Sequence, residues 1–485
     1  MKKLLTSLLS PFNFLPFTFK LCSCFLVLTF NPSALTIAQN PNIKRTYNWH
    51  FGEYGAITFT NDSVFVVNTS QLISDEGCAS MSDTSGNLLF YTNGEAVWNV
   101  NNDTMPNGSG LLGSTTSTQS ALIVPFPNHP NLYFIFTVCP QAGYVNGCSS
   151  LSYSILDMSL DSGLGDIVDS TKNTFLYSPV TEKLTATQHA NKQDYWVIAH
   201  EWNTNNFITY LIDSTGINTN PIISATGNIH SGGANNVNTI GSLKVSNDGT
   251  LLACSIQYED SMFIFNFSNT NGSIMSLVSF PSFYPYDAAF SNDNSKIYIS
   301  DSWNGIIYQY DISVIDVNAI LNSKFQVSSS SNNSLGLQNA SNGYIYISNF
   351  YQQNISCIKF PNLQGLNCEY IDTSLFLNYW FNCRFMFPNI INSYLKDKEE
   401  TIGTILKYNL GITIFPNPAN DVINIDYNNN NVENVNIDLF DIYGELKGSY
   451  NKAMNNIDIS SLQNGLYLLK FQTKDKVIIK KFIKD

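Results

Sequence analysis

From residue 44 to about residue 393, apolar positions recur in one repeated unit: a strand, a polar turn, then a stronger aromatic or β-branched strand. The first copy is Cys78-Ala79-Ser80-Met81, the turn Ser82-Asp83-Thr84-Ser85-Gly86-Asn87, and Leu88-Leu89-Phe90-Tyr91. Further copies pair 120–124 with 132–137, 183–188 with 195–199, 242–245 with 251–256, 287–290 with 296–300, and 336–340 with 344–348. The turns are built from Asn, Asp, Ser and Gly, which tolerate the positive φ of tight hairpins. More strand follows several hairpins, as in Phe263-Ile264-Phe265-Asn266-Phe267 and Ile306-Ile307-Tyr308-Gln309-Tyr310.

Taking Phe90, Phe134, Trp196, Ala253, Tyr298 and Tyr346 as equivalent, the steps between copies are 44, 62, 57, 45 and 48 residues. A unit of this length carrying four strands, of WD40-like size, predicts a β-propeller over 44–393. Six copies are visible, and unassigned strand remains at 47–67 and at 381–391. A ring has to hide its edges, so the two ends are expected to share a blade. That predicts seven blades, with six and eight as the alternatives; an array of β-sandwiches would not join the two ends.

After a charged stretch at 394–410, expected to be a linker, the pattern changes to short strands of strict alternation. Ile423, Ile425 and Tyr427 share one face, as do Val435, Ile437 and Leu439, then Ile457 and Ile459, then Tyr467, Leu469 and Phe471. About seven such strands between 411 and 485 predict a small immunoglobulin-like β-sandwich. Residues 1–38 read as a secretory leader: Lys2 and Lys3 open it, 21–30 is largely apolar, and Thr36-Ile37-Ala38 suits cleavage. That ten-residue run is short of a membrane-spanning helix, and no later segment reaches the length.

Composition agrees with an exported all-β protein. The charged fraction is 13%, about half the usual globular value, while 32 Phe and 26 Tyr supply a large core. Net charge is −13, and removing Lys2, Lys3 and Lys20 with the leader makes it −16. An acidic chain excludes nucleic-acid backbones as partners. Of nine cysteines, seven lie beyond the leader: Cys139 and Cys148 flank a loop that a disulfide would close, and Cys357, Cys368 and Cys383 offer a second bridge.

Two resemblances follow from particular motifs. Asn48-Trp49-His50-Phe51-Gly52, Ser74-Asp75-Glu76-Gly77-Cys78-Ala79-Ser80, Val97-Trp98-Asn99 with Met105-Pro106-Asn107-Gly108, and Ser117-Thr118-Gln119-Ser120 resemble the N-terminal propeller region of large surface proteins of gliding and related Bacteroidota. That resemblance implies a propeller carried to the surface and no established chemistry. Phe415-Pro416-Asn417-Pro418, Leu439-Phe440-Asp441-Ile442-Tyr443-Gly444, the run from Leu462 through Gly465 to Tyr467, and Lys480-Lys481 resemble the type A C-terminal sorting domain of the type IX secretion system. It implies passage through the periplasm and across the outer membrane, with the secretion machinery as partner and secretion or surface display as the outcome.

Catalytic signatures are sparse. Only Arg45 and Arg384 are present, too few for the arginine clamp of a sialidase. There is no G-x-S-x-G elbow and no C-x-x-C pair, and no motif calls for a cofactor. His189, His200 and His230 are the one candidate metal cluster among five histidines. Asp75, Glu76, Glu95, Asp194, Glu201, Glu259, Asp260, Asp287 and Asp301 could supply the carboxylate pair of a polysaccharide hydrolase, but spacing does not say which converge. Trp98, Trp202, Trp303, Tyr284 and Tyr286 lie in or near polar loops and suit stacking on sugars, packing between blades being the alternative. The expectation is a binding protein for a glycan or protein partner, with a secreted hydrolase as the runner-up.

Overall fold

The computed structural model describes residues 40–396 and 413–485, apart from 62, 141–148, 330–332, 379–380, 427–435, 442–444, 451–453 and 473–476. The expected leader and most of the expected linker therefore lie outside the described residues. The chain is all-β, a succession of antiparallel sheets with one short α-helix, Val317–Asn322, among the described residues.

Before the tail, seven sheets follow one another in chain order. The first holds three strands, Asn48–Phe51, Gly55–Phe59 and Val64–Val66. Each of the next six opens on one of the strands Ala79–Ser82, Ala121–Pro125, Val180–Gln188, Leu243–Val245, Pro285–Phe290 and Ser334–Asn339. The six positions taken as equivalent all fall on the second strand of their sheets. They oppose Met81, Val124, Thr187, Lys244, Ala289 and Gln338 of the opening strands. The opening strands of consecutive sheets pack beside one another, so both of their faces are covered. Val180–Gln188 is buried along its whole length although it reads Val-Thr-Glu-Lys-Leu-Thr-Ala-Thr-Gln. Burial of this kind demands partners for every polar group.

The two ends of this region meet, but not as two regular strands. Asn382 bridges to Glu53, and then Cys383, Phe385 and Asn389 donate backbone N–H groups to Gln352, Asp75 and Cys78. Phe387 wedges against Trp49 and Phe51, with ring centroids at 5.3 and 4.8 Å. The strand expected at 381–391 is thus a single bridge followed by irregular chain. Pro388 lacks the N–H that a ladder needs. Side chains do the joining instead. Asn389 Nδ2 donates to the carbonyls of Ala121 and Leu184, and Asn392 Nδ2 to that of Val245. Asn392 Oδ1 accepts from Gln338 Nε2, and Ser393 Oγ accepts from the Gln188 N–H. One strap so ties the opening strands of the third, fourth, fifth and seventh sheets. Tyr394 and Leu395, expected to begin the linker, are buried, and Tyr394 OH meets Tyr195 OH at 2.9 Å. They belong with the sheets because both side chains are apolar anchors of the strap.

Cys139 is disulfide-bonded. Cys78, Cys254, Cys357, Cys368 and Cys383 are buried free thiols, so no bridge forms among Cys357, Cys368 and Cys383 and the expected partner, Cys148, lies outside the described residues. The three sit in the core as small apolar groups, which is the commoner use of a buried thiol.

In the tail, seven described strands form a sheet of three and a sheet of four. Ile423, Ile425, Ile437, Leu439, Ile457, Ile459, Tyr467, Leu469 and Phe471 are all buried in its core, as the alternation predicts, while Tyr427 and Val435 lie outside the described residues.

Candidate functional site

Three connections at one end of the fifth and sixth sheets bring four aromatic side chains together. Trp303 follows Lys296–Asp301 in a turn shaped by Asp301. Its Oδ1 accepts from the N–H groups of Trp303 and Asn304, and its Oδ2 from Asn304 Nδ2. An Asp that caps its own turn in this way fixes the loop without help from the core. Gly305, at φ +65°, returns its N–H to the Asp301 carbonyl, and a Cβ there would lie 2.6 Å from Asn333. Tyr284 adopts φ +40°, a strained value for a bulky side chain. Its N–H reaches Asp260 Oδ1 at 2.9 Å and its carbonyl accepts from both Ser302 N–H and Oγ at 3.0 Å. Gln257 Nε2 donates to the same Ser302 hydroxyl, which ties the turn carrying Tyr258 to the group.

The rings are arranged around Tyr284. Trp303 lies at 5.2 Å and 37°, Tyr258 at 5.4 Å and 74°, and Phe283 at 4.7 Å and 69°. Trp303 is 71% exposed, Tyr258 46% and Phe283 44%. Of the aromatics picked from sequence, the structure brings Trp303 and Tyr284 together at the surface. Trp202 and Tyr286 are buried instead, and Trp98 is half-buried with its ring stacked on Tyr91 at 5.5 Å. Tyr258 and Phe283 were missed. The Tyr258-Glu259-Asp260 turn and the Phe283-Tyr284-Pro285 junction mark loops, but nothing in the sequence says that they meet.

The acids divide into turn formers and one buried pair. Asp194 accepts from Asn191 Nδ2 across its turn, Asp301 caps a turn, and Asp260 holds the Tyr284 loop. Glu95 accepts from Thr115 N–H, Glu201 from Tyr177, Thr204 and Asn206, and Glu259 from Asn238. Asp287 accepts from Leu337 and Ala288 N–H and lies 3.5 Å from Lys244. Asp75 lies 3.6 Å from Arg384, whose other partners are Glu53 and the face of Tyr351. Both arginines are thus spent on structure, since Arg45 binds Asn42 and Tyr133.

Glu76 is different. Its backbone is clasped against Thr115, and its Oε2 is buried with no hydrogen bond. Burial first, and the nearby Glu182 carboxylate second, hold its carboxyl well above the usual range. Glu182 accepts from Thr118 N–H at 3.0 Å and Thr118 Oγ1 at 2.9 Å. Burial first, and the nearby Glu76 second, push the Tyr286 hydroxyl up, yet it makes no well-formed hydrogen bond. Glu182 did not stand out in the sequence; its signal is a Glu-Lys dipeptide inside a strand whose other residues, up to Thr187, are apolar or hydroxylic.

The histidine cluster does not assemble. His200 and His230 stack at 3.6 Å inside the protein, but His189 is at the surface against Trp196 and the Thr270 carbonyl. Burial pushes the His200 imidazole down to about 3 and His230 well below its ordinary value. Among the described residues no group of three metal-ligating side chains forms.

The residues picked for sorting lie as follows. Asn417 accepts from Ile483 N–H and donates to the Lys481 carbonyl, which lays the Pro416-Asn417-Pro418 turn along the last strand, Val477–Lys484. Pro416 and Pro418 are exposed. Leu462 packs against the tail core, Gly465 opens the strand Gly465–Gln472, and Tyr467 is buried against Phe482 with its hydroxyl on the Gln463 carbonyl. Lys480 and Lys481 lie on the last strand opposite Leu469 and Leu468. Gly444 lies outside the described residues.

Residues 413–485 match the family described as secretion system C-terminal sorting domain. The protein therefore carries a type IX export tail, which directs secretion or surface display. No helix among the described residues is long and apolar enough to cross a membrane. No curated protein matches the chain. Solved structures similar in part include a Bacteroides fragilis protein described as a candidate 6-phosphogluconolactonase, at 12% identity over 84% of this chain and 96% of that one, TM-score 0.38. Others are PorZ of Porphyromonas gingivalis, an essential surface component of the type IX secretion system, at 11% over 91% and 59%, TM-score 0.35, and Kluyveromyces lactis Hsv2 at 9% over 64% and 92%, TM-score 0.35. At these scores none of them assigns an activity or a partner to this chain.

Proposed function

We propose that residues 40–396 form a seven-bladed β-propeller that the type IX route of a Bacteroidota cell delivers to the surface or the medium, where it acts as a binding module. The leader at 1–38 takes the chain to the periplasm. A linker after residue 396 leads to an immunoglobulin-like sorting domain at about 411–485. There the secretion machinery reads Pro416, Asn417, Pro418, Gly444, Leu462, Gly465, Tyr467, Lys480 and Lys481. Support for the ring comes from seven successive sheets with adjoining opening strands, and from the strap that returns the chain to the first sheet.

The observation that carries the binding reading is the rigid, exposed aromatic cluster around Tyr284, set beside carboxylates committed to turns and ion pairs. One observation favours the second reading, a hydrolase of polysaccharides: the pair Glu76 and Glu182, in which the Glu76 carboxyl is held well above its usual range beside a Glu182 that accepts two hydrogen bonds from Thr118. Incubating the mature full-length chain with a polysaccharide panel separates the two. Retention on a polymer without release of reducing ends is the expected result. Reducing ends that accumulate with wild type and vanish with Glu76→Gln would replace binding by hydrolysis.

A further inference from the structure

We infer that Tyr258, Phe283, Tyr284 and Trp303 form a binding site for a neutral pyranose glycan. This rests on reading the chain as a binding module and names its ligand class. The first argument is shape. Trp303 leans on Tyr284 and leaves most of its surface open, while Tyr258 and Phe283 stand edge-on to Tyr284. Flat faces meeting at an angle suit the axial C–H surface of a sugar ring, which stacks on an aromatic face while its hydroxyls stay at the rim.

The second argument is pre-organisation. Each loop is pinned by hydrogen bonds of its own: Asp301 to Trp303 and Asn304, Asp260 to Tyr284, and Gln257 and Tyr284 to Ser302. Large exposed aromatics held this way lose little freedom on binding.

Charge and area decide the occupant. The contributing segments, 257–260, 282–284 and 301–305, contain Glu259, Asp260 and Asp301 and no lysine or arginine. That balance disfavours uronic or sulfated polymers and nucleic acids. The four side chains offer on the order of 400 Å² of open surface, taking roughly 150–250 Å² for each whole aromatic. A stable protein partner needs about 800 Å² on each side. A di- or trisaccharide is the better match in size.

The test uses the full mature chain and three soluble probes: a neutral galactomannan, alginate and polylysine. Native gels containing each polymer report retardation, and quenching of tryptophan fluorescence reports contact with Trp303. Galactomannan is expected to retard and quench the wild type. Trp303→Ala should weaken that binding about tenfold or more, as loss of a central aromatic anchor does. Phe175→Ala, which alters an exposed aromatic in the third sheet, should leave it unchanged. Trp303 is a surface group, so an unchanged melting temperature confirms that the variant folds. Undiminished galactomannan binding by Trp303→Ala overturns the site but leaves a glycan-binding module standing. Binding to polylysine or alginate alone overturns the neutral-glycan class. No binding to any probe also overturns it, and leaves a protein ligand for the module.

Discussion

At the scale of single residues, the polar groups that burial leaves in an unfavourable state are the informative ones. Glu76 is held protonated by burial and by Glu182. A carboxyl whose folded pKa is raised favours the folded state at low pH and costs stability as pH rises above its unfolded value. Glu76→Gln is therefore expected to be near neutral at pH 4.5 and to stabilise by about 1 kcal/mol at pH 8, the usual order for relieving a buried polar group. Calorimetry at the two pH values checks this; destabilisation at pH 8 would mean that the site needs the charge. The buried imidazoles work in the opposite sense. His50 and His200 are pushed down to about 3, His230 is lowered as well, and all three are desolvated. Their contribution is complete above the ordinary value of 6.5 and is lost as pH falls towards 3. Below about pH 6 each neutral histidine should cost about 1.4 kcal/mol per pH unit. Urea melts at pH 7.5, 6 and 5 should show midpoints falling steeply, and His200→Gln with His230→Gln should flatten the fall. None of this was legible in the sequence, where Glu76 is one of nine similar acids and Glu182 sits unmarked in a strand.

Among the elements, what could be read in advance follows period. Alternation in the tail located the buried face of four strands, because side chains of a strand alternate strictly and one face is dry. The six hairpin copies were equally legible, down to Phe90, Tyr298 and Tyr346 falling on second strands. The strap at 382–395 was not. Its register comes from Asn389, Asn392 and Ser393 reaching strands 54 to 268 residues away, and no local period encodes such contacts. The same reason hid the gathering of Tyr258 and Trp303 around Tyr284. The strap also makes a measurable claim. Phe387 fills the space between Trp49 and Phe51, so Phe387→Ala should cost about 3–5 kcal/mol. Asn392→Ala removes the side-chain donor to the Val245 carbonyl and one of the two acceptors of Gln338 Nε2 and should cost about 1–3 kcal/mol. If denaturant melts place both below 0.5 kcal/mol, the strap is not what joins the ends.

For the whole molecule, the strap fixes where the chain can be divided. The expected boundary at 393 lies inside it, since Tyr394 and Leu395 are buried and Tyr394 anchors on Tyr195. A cut after Leu410 keeps every contact of the strap and removes the sorting domain matched at 413–485. A cut after Asn378 removes the strap as well and exposes Trp49, Phe51 and the first strand of the second sheet. The two truncations separate folding from export. The longer one should melt as cooperatively as the same region in the full chain but stay in the periplasm, because the matched sorting domain is gone. The shorter one should be degraded, since it loses the Phe387 core contact and at least six hydrogen bonds of the strap at once. Fractionation of cells expressing each form reads both results. Export of the longer form to the medium would show that the address lies in the sheets, and survival of the shorter one would show that the sheets hold together without the strap.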